Sequence, residues 1–179
     1  MLPKIINFVN YIEVTGTQYI DLGFVPSSNT KVVCDFQCTA ADTTNRAIFG
    51  VSGQFSFRKY NATTFRTNGG NSVDLPTSIS VTARHTVEKT PTSTKIDGAN
   101  EKTTTAGSVS NNLFLGAYNN GSAAANFAKC KYYGFKRYNG NTLVMDLRPC
   151  LDDDGVPCMY DGVSGNYLRN AGTGTFGYG

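Results

Sequence analysis

The chain has no tryptophan, one histidine and three glutamates, and only 16% of its 179 residues are charged. Each scarcity excludes something. A charged fraction well below the usual quarter leaves few residues for solvated helix faces. The polarity comes instead from Thr, Ser, Asn and Gly, which suit turns and strand surfaces. Glu13, Glu88 and Glu101 each lack an acidic partner two residues away. Glycoside hydrolysis needs two carboxylates about 5–10 Å apart, and no strand here supplies the pair. The lone His85 sits in Thr-Ala-Arg-His-Thr-Val-Glu and reads as an exposed strand histidine. With no second histidine, neither a Ser or Cys nucleophile nor a His-rich metal site is favoured.

No apolar run approaches the ~20 residues of a membrane-spanning helix, and residues 1–10 are not a signal peptide, with one Lys and a short apolar run. The net charge is +3 with the basic residues scattered, which argues against nucleic acid and membrane partners. The one cluster, Lys129, Lys131, Lys136 and Arg137, reads as solvent-facing strand positions. Five cysteines (Cys34, Cys38, Cys130, Cys150, Cys158) are an odd number, so full pairing is excluded. Their expected role is as mostly free thiols and small core hydrophobes of a protein made in a reducing cytoplasm.

What is present is alternation. Val32, Cys34, Phe36 and Cys38 fall on one face of a strand over 30–38, against Lys31, Asp35 and Gln37. Leu143, Met145 and Leu147 do the same over 142–149. This is half-buried antiparallel patterning. Further strands are expected at 11–14, 19–22, 46–51, 54–60, 63–67, 85–89, 94–96, 113–118 and 128–138. Turn signals separate them, and Asn139-Gly140 is the best hairpin turn. Residues 120–127 could form one helical turn. Residues 90–110, rich in Thr and Ser, read as exposed edge hairpins. So many short strands in one chain predict an all-β fold, a two-sheet antiparallel β-sandwich over 11–179 preceded by an arm or extra strand at 1–10. The acidic run Asp152-Asp153-Asp154-Gly155 reads as turn chemistry. No metal and no cofactor are expected.

Three segments carry a resemblance. Tyr11-Ile12-Glu13-Val14-Thr15-Gly16-Thr17-Gln18-Tyr19-Ile20-Asp21-Leu22-Gly23-Phe24 resembles the opening strands of concanavalin A-like, laminin-G-like jelly-roll domains. The stretch from Met159 to Phe176 resembles their closing strands. The hairpin from Cys130 to Cys150, with its Leu143-Val144-Met145-Asp146-Leu147-Arg148-Pro149-Cys150 strand, resembles their penultimate one. The resemblance implies a jelly roll in which 11–21 and 167–176 lie side by side, with Phe176 returning to the core. Such domains recur in bacteriophage virion proteins and gut bacterial surface proteins.

The resulting expectation is a non-enzymatic virion structural or appendage protein of a tailed bacteriophage, a head decoration or fibre-type component, with host or mucosal carbohydrate as an added ligand. The chain begins at Met and ends soon after its last strand, which favours that reading. The alternative is a carbohydrate-binding module of a bacterial cell-surface protein, and a glycoside hydrolase is the remote third. Expected partners are other virion subunits or copies of the same chain. Sugars are held by aromatic faces and planar polar groups. The candidates are Arg58, Tyr60 and Asn61 on one strand and turn, and Tyr118, Asn119 and Asn120 on another. Leu2, Ile5, Ile6, Phe8 and Val9 are candidate assembly contacts, because five large apolar side chains within eight positions are costly to leave in water.

Overall fold

The computed structural model describes residues 5–179. In chain order the strands are β1 (Asn7–Phe8), β2 (Ile12–Val14), β3 (Ile20–Asp21), β4 (Thr30–Cys38), β5 (Arg46–Val51), β6 (Phe55–Lys59), β7 (Phe65–Asn68), β8 (Ser72–Asp74), β9 (Arg84–Lys89) and β10 (Ser93–Ile96). They continue as β11 (Ala99–Thr103), β12 (Phe114–Leu115), β13 (Tyr118–Asn119), β14 (Ala124–Ala125), β15 (Cys130–Asn139), β16 (Thr142–Leu151), β17 (Pro157–Asp161), β18 (Tyr167–Leu168) and β19 (Gly177–Tyr178). They form two sheets. The larger runs β11-β10-β9-β4-β15-β16-β17-β18, with β1 on β16 and β2 between β15 and β19. The smaller runs β14-β13-β5-β6-β7-β8, with β12 joining β3 to β5. Among the described residues every pairing is antiparallel except β13 with β5.

The alternation places the core. Each even-numbered residue of β4, from Thr30 to Cys38, is buried, and each odd-numbered one is half-buried. The Phe36 ring meets Phe57 and Phe65 of the opposite sheet at centroid distances of 5.9 and 5.7 Å. Tyr132, also inward, donates its hydroxyl to the Ile48 carbonyl at 2.7 Å, satisfying a buried polar atom across the sandwich.

The chain ends close the fold together. Gly177 and Tyr178 pair with Glu13 and Ile12, and Thr173 N donates to Thr17 O. A side chain at Gly172 would collide with the Thr17 carbonyl, so the small-residue run 170–175 is what lets these backbones touch. Phe176 is buried. In the arm, Asn7 and Phe8 pair with Leu151 and Cys150, the part of β16 that β15 does not reach. Ile5 is 91% exposed and Phe8 48%; Ile6 and Val9 are half-buried, and Leu2 lies outside the described residues.

Several local expectations are corrected. Residues 120–127 form no helical turn: the Asn120 side-chain Oδ1 accepts from Ser122 N and Ala123 N, and Ala124–Ala125 pair with β13. The hairpin loop is Gly140-Asn141, shifted by one residue, because Asn139 still pairs with Thr142. Gly140 alone has positive φ (58°) there, the pattern of a type II′ turn. His85 is buried, held by Asp97 Oδ2 at 2.7 Å and Ser80 O at 2.6 Å. Arg137 does not simply face solvent; its guanidinium lies 3.9 Å from the Phe24 ring centroid, and burial lowers its pKa. Residues 90–110 give one edge hairpin, β10–β11. The chain then crosses to the smaller sheet, where Gly70 N donates to Thr105 O and Thr105 N to Asn71 Oδ1.

Candidate functional site

The outer face of the smaller sheet is built by the same alternation. In β6, Phe55, Phe57 and Lys59 turn inward and are buried, so Ser56 and Arg58 turn outward, with Tyr60 following them. In β7, Arg66 stands opposite Arg58, and in β8 Asp74 stands opposite Arg66. Arg66 and Asp74 form a two-point ion pair, with Nη2 at 2.9 Å from Oδ2. Hydrogen bonding to Arg66 holds the Asp74 carboxyl below the usual carboxylate range. The Arg66 guanidinium lies 3.4 Å from the Tyr60 ring centroid. Arg58 lies 5.3 Å from Tyr60 and 5.8 Å from Tyr118.

Tyr118 arrives from β13, level with Gly50 of β5. Its hydroxyl accepts from Ser56 Oγ at 3.5 Å, and burial raises its pKa. Two polar atoms on this face are buried without a hydrogen-bond partner among the described residues: Arg58 Nε, a donor, and Asn68 Oδ1, an acceptor. Asn68 is directly opposite Ser56, one strand from Arg58.

Of the six sequence-derived candidates, the structure therefore brings Arg58, Tyr60 and Tyr118 together. The three asparagines do turn work. Asn61 Oδ1 accepts from Thr63 N at 2.9 Å. Asn119 Oδ1 accepts from Gly121 N at 2.9 Å, and its amide donates to Asn112 O. Asn120 caps its own turn as described above. Sequence reasoning missed Arg66, Asn68, Asp74 and Gly50. Arg66 was within reach: a hairpin folding back at 60–64 places it opposite Arg58.

A cavity lies elsewhere, a groove of about 490 Å³ on the outer face of the larger sheet, lined by Asp35, Thr86, Tyr133, Lys136, Tyr138 and Arg148 among others. Its floor is Gly134, next to a register shift in β15. Tyr133 is braced by the Arg84 guanidinium 3.7 Å from its ring centroid and donates its hydroxyl to Gln37 Oε1 at 3.0 Å. Arg84 in turn forms a two-point pair with Asp35 at 2.8 and 2.7 Å. The groove is the roomier place, but every named anion in it is already paired within the protein. The smaller sheet's face holds two of the four buried polar atoms that have no partner among the described residues, Arg58 Nε and Asn68 Oδ1.

The acidic run proves to be a turn. Asp152 Oδ1 accepts from Asp154 N and Val156 N, and Oδ2 from Arg169 Nε at 2.8 Å. The glutamates lie on three strands of the larger sheet, β2, β9 and β11.

The fold has a counterpart in Bacteroides ovatus. A crystal structure of what is described as a "putative carbohydrate binding protein" from that organism matches 96% of this chain with a TM-score of 0.63 at 11% sequence identity. This chain spans 60% of that protein's chain, so the likeness is one of fold. No protein-family model and no curated protein matches the chain.

Proposed function

We propose that this protein is a non-enzymatic carbohydrate-binding domain, and that saccharide is held on the outer face of the smaller sheet by Arg58, Tyr60, Arg66 and Tyr118. The observation that carries the proposal is the convergence on one face of two guanidiniums and two phenol rings from three segments, beside an unpartnered donor and acceptor. A sugar hydroxyl both donates and accepts, so the hydroxyls of a bound saccharide suit Arg58 Nε and Asn68 Oδ1 as partners. The planar guanidinium fork suits vicinal hydroxyls or a sugar carboxylate. The fold shared with the Bacteroides ovatus protein supports a carbohydrate ligand over other ligand classes. A bacterial cell-surface module is the setting that fits this reading.

Glycan-array screening followed by calorimetry tests it. Arg58→Ala and Tyr60→Ala are expected to weaken binding at least tenfold with circular dichroism unchanged, while Tyr133→Ala in the opposite groove leaves affinity intact. Loss with Tyr133→Ala alone would move the site to the groove. No binding to any glycan would end the functional reading.

A second reading, a component of a tailed-bacteriophage particle, is favoured by one observation: the exposed Ile5 and Phe8 side chains on an otherwise paired arm. Residues 2–10 would then dock on a virion subunit or another copy of this chain. If deleting them leaves melting unchanged but abolishes oligomers or particle incorporation, the arm is an assembly element. If melting of the monomer falls, the arm serves its own sheet.

A further inference from the structure

Four of the five cysteines stand in two pairs. Cys38 of β4 is directly opposite Cys130 of β15, and Cys150 of β16 is directly opposite Cys158 of β17. The sulfur–sulfur distances are 3.1 and 3.4 Å. All four are buried, and the two side chains of each pair share one face of the sheet: Cys38 and Cys130 the core face, Cys150 and Cys158 the face opposite Met159. Residues facing each other across antiparallel strands have Cα atoms about 4.5–5.5 Å apart, inside the range of about 4.4–6.8 Å that a disulfide spans. Cys34 has no such neighbour. Its cross-strand partners are Phe135 and Val87, and Cys38 lies four residues along the same strand, about 13 Å away at the usual rise.

We propose that Cys38–Cys130 and Cys150–Cys158 are disulfide sites, closed when the chain folds in an oxidising compartment, with Cys34 remaining a thiol. The oxidant is a low-molecular-weight or enzyme-borne disulfide. One cysteine thiolate attacks that disulfide and expels one thiol, leaving a mixed disulfide. The facing thiolate then attacks the protein-side sulfur and expels the second thiol. Two electrons pass to the oxidant, and the two protons of the protein thiols end on the two released thiols.

Register does the selecting. Each pair is brought together only by its strand pairing, and each thiol that faces another has one facing partner. Burial raises the pKa of the Cys130 thiol, which slows attack once the sandwich has closed, so the bonds form on the folding chain or during local opening. The first bond would join two central strands of the larger sheet across 92 residues of sequence; the second would clamp a hairpin. In a reducing compartment the same residues stay packed as small hydrophobes. The odd cysteine count is thus explained by two sites and one core thiol, independently of any ligand.

The test is refolding of the full chain from denaturant with oxidised and reduced glutathione, then alkylation under denaturing, non-reducing conditions. The expected result is a mass four hydrogens lighter, one alkylated cysteine, and linked peptides containing Cys38 with Cys130 and Cys150 with Cys158. Cys34→Ala should then carry no alkylation, and reductant should lower its Tm by about 5–10 °C. Five alkylated cysteines after oxidative refolding to a β-type circular dichroism spectrum would overturn the proposal. So would any bridge to Cys34. A single bridge would overturn the site whose cysteines remain alkylated.

Discussion

The Tyr118 ring lies directly over the Cα of Gly50: a Cβ built at Gly50 would sit 2.8 and 2.9 Å from Tyr118 Cδ1 and Cε1. Real carbon contacts do not come so close, so the ring occupies space that only glycine leaves. Ser56, beneath the same ring, is completely buried.

The same Cβ would meet Ser56 Cβ still more closely, so Gly50→Ala is expected to displace both Ser56 and Tyr118 and to cost about 1–3 kcal/mol, the usual penalty for overpacking. Urea unfolding measures the loss. If the ring shapes the saccharide site, affinity falls together with stability; Tyr118→Ala in the Gly50→Ala background should then lower affinity no further.

Lys89 supplies a pH signature. It is fully buried on the inner face, with Nζ donating to Thr67 Oγ1 at 3.1 Å and Thr94 Oγ1 at 3.4 Å, and burial lowers its pKa to about 7. From about pH 7 to 10.5 the unfolded chain holds a proton that the folded chain does not, so this group makes stability rise with pH through that window. Below pH 7 the buried ammonium is charged and, among the described residues, is met by two threonine hydroxyls and no carboxylate. Lys89→Met should stabilise the fold by about 1–4 kcal/mol at pH 6, with the gain shrinking towards pH 10. Chemical denaturation at a series of pH values reads the slope; a gain independent of pH would refute the assignment.

Asp42 makes the opposite prediction. Hydrogen bonds from Arg46 and then Lys59 hold its carboxyl below the usual carboxylate range. Lys59 is completely buried, and its Nζ lies 2.8 Å from Asp42 Oδ1. A lowered carboxyl pKa gives stability that is present above the ordinary value near 4 and is lost as pH falls below it. Asp42→Asn leaves the Lys59 charge with neutral acceptors alone, the main-chain carbonyls of residues 42 and 44 and the new amide oxygen. The expected loss is about 1–3 kcal/mol at pH 7, below that of a deeply buried pair because Asp42 is 35% exposed. Thermal melts at pH 7 and pH 3 should show the variant's deficit narrowing in acid.

Half of the candidate site was legible beforehand. Arg58 and Tyr60 alternate visibly with Phe57 and Lys59, and Tyr118 sits in an apolar run, so all three were named. Their neighbours were not. Arg66 and Asp74 join them only because β6, β7 and β8 pair in one register, and Gly50 matters only because a parallel strand enters beside it. The groove was hidden for a related reason: the register shift at Gly134 moves the inward face from Cys130 and Tyr132 to Phe135, and the adjacent aromatics Tyr132 and Tyr133 mask that change of phase in the sequence.

Sequence by itself determined the class of fold. A period-two pattern buries one face of a strand whatever its neighbours are, and glycine and asparagine end strands through their own backbone preferences, so strand faces and turns can be read locally. The meeting of the chain ends was foreseen through resemblance and the run of small residues that close approach requires, but its strands were not: Tyr167 and Leu168 pair with Tyr160 and Met159, and Gly177 and Tyr178, past the expected segment, pair with Glu13 and Ile12. Tertiary structure alone decided what lies opposite what: Cys130 against Cys38, Cys158 against Cys150, Asp97 against His85, and a buried Lys89 between two threonines. Such pairs are separated by up to 92 residues, and strand order and register, set by the packing of both sheets at once, bring them together.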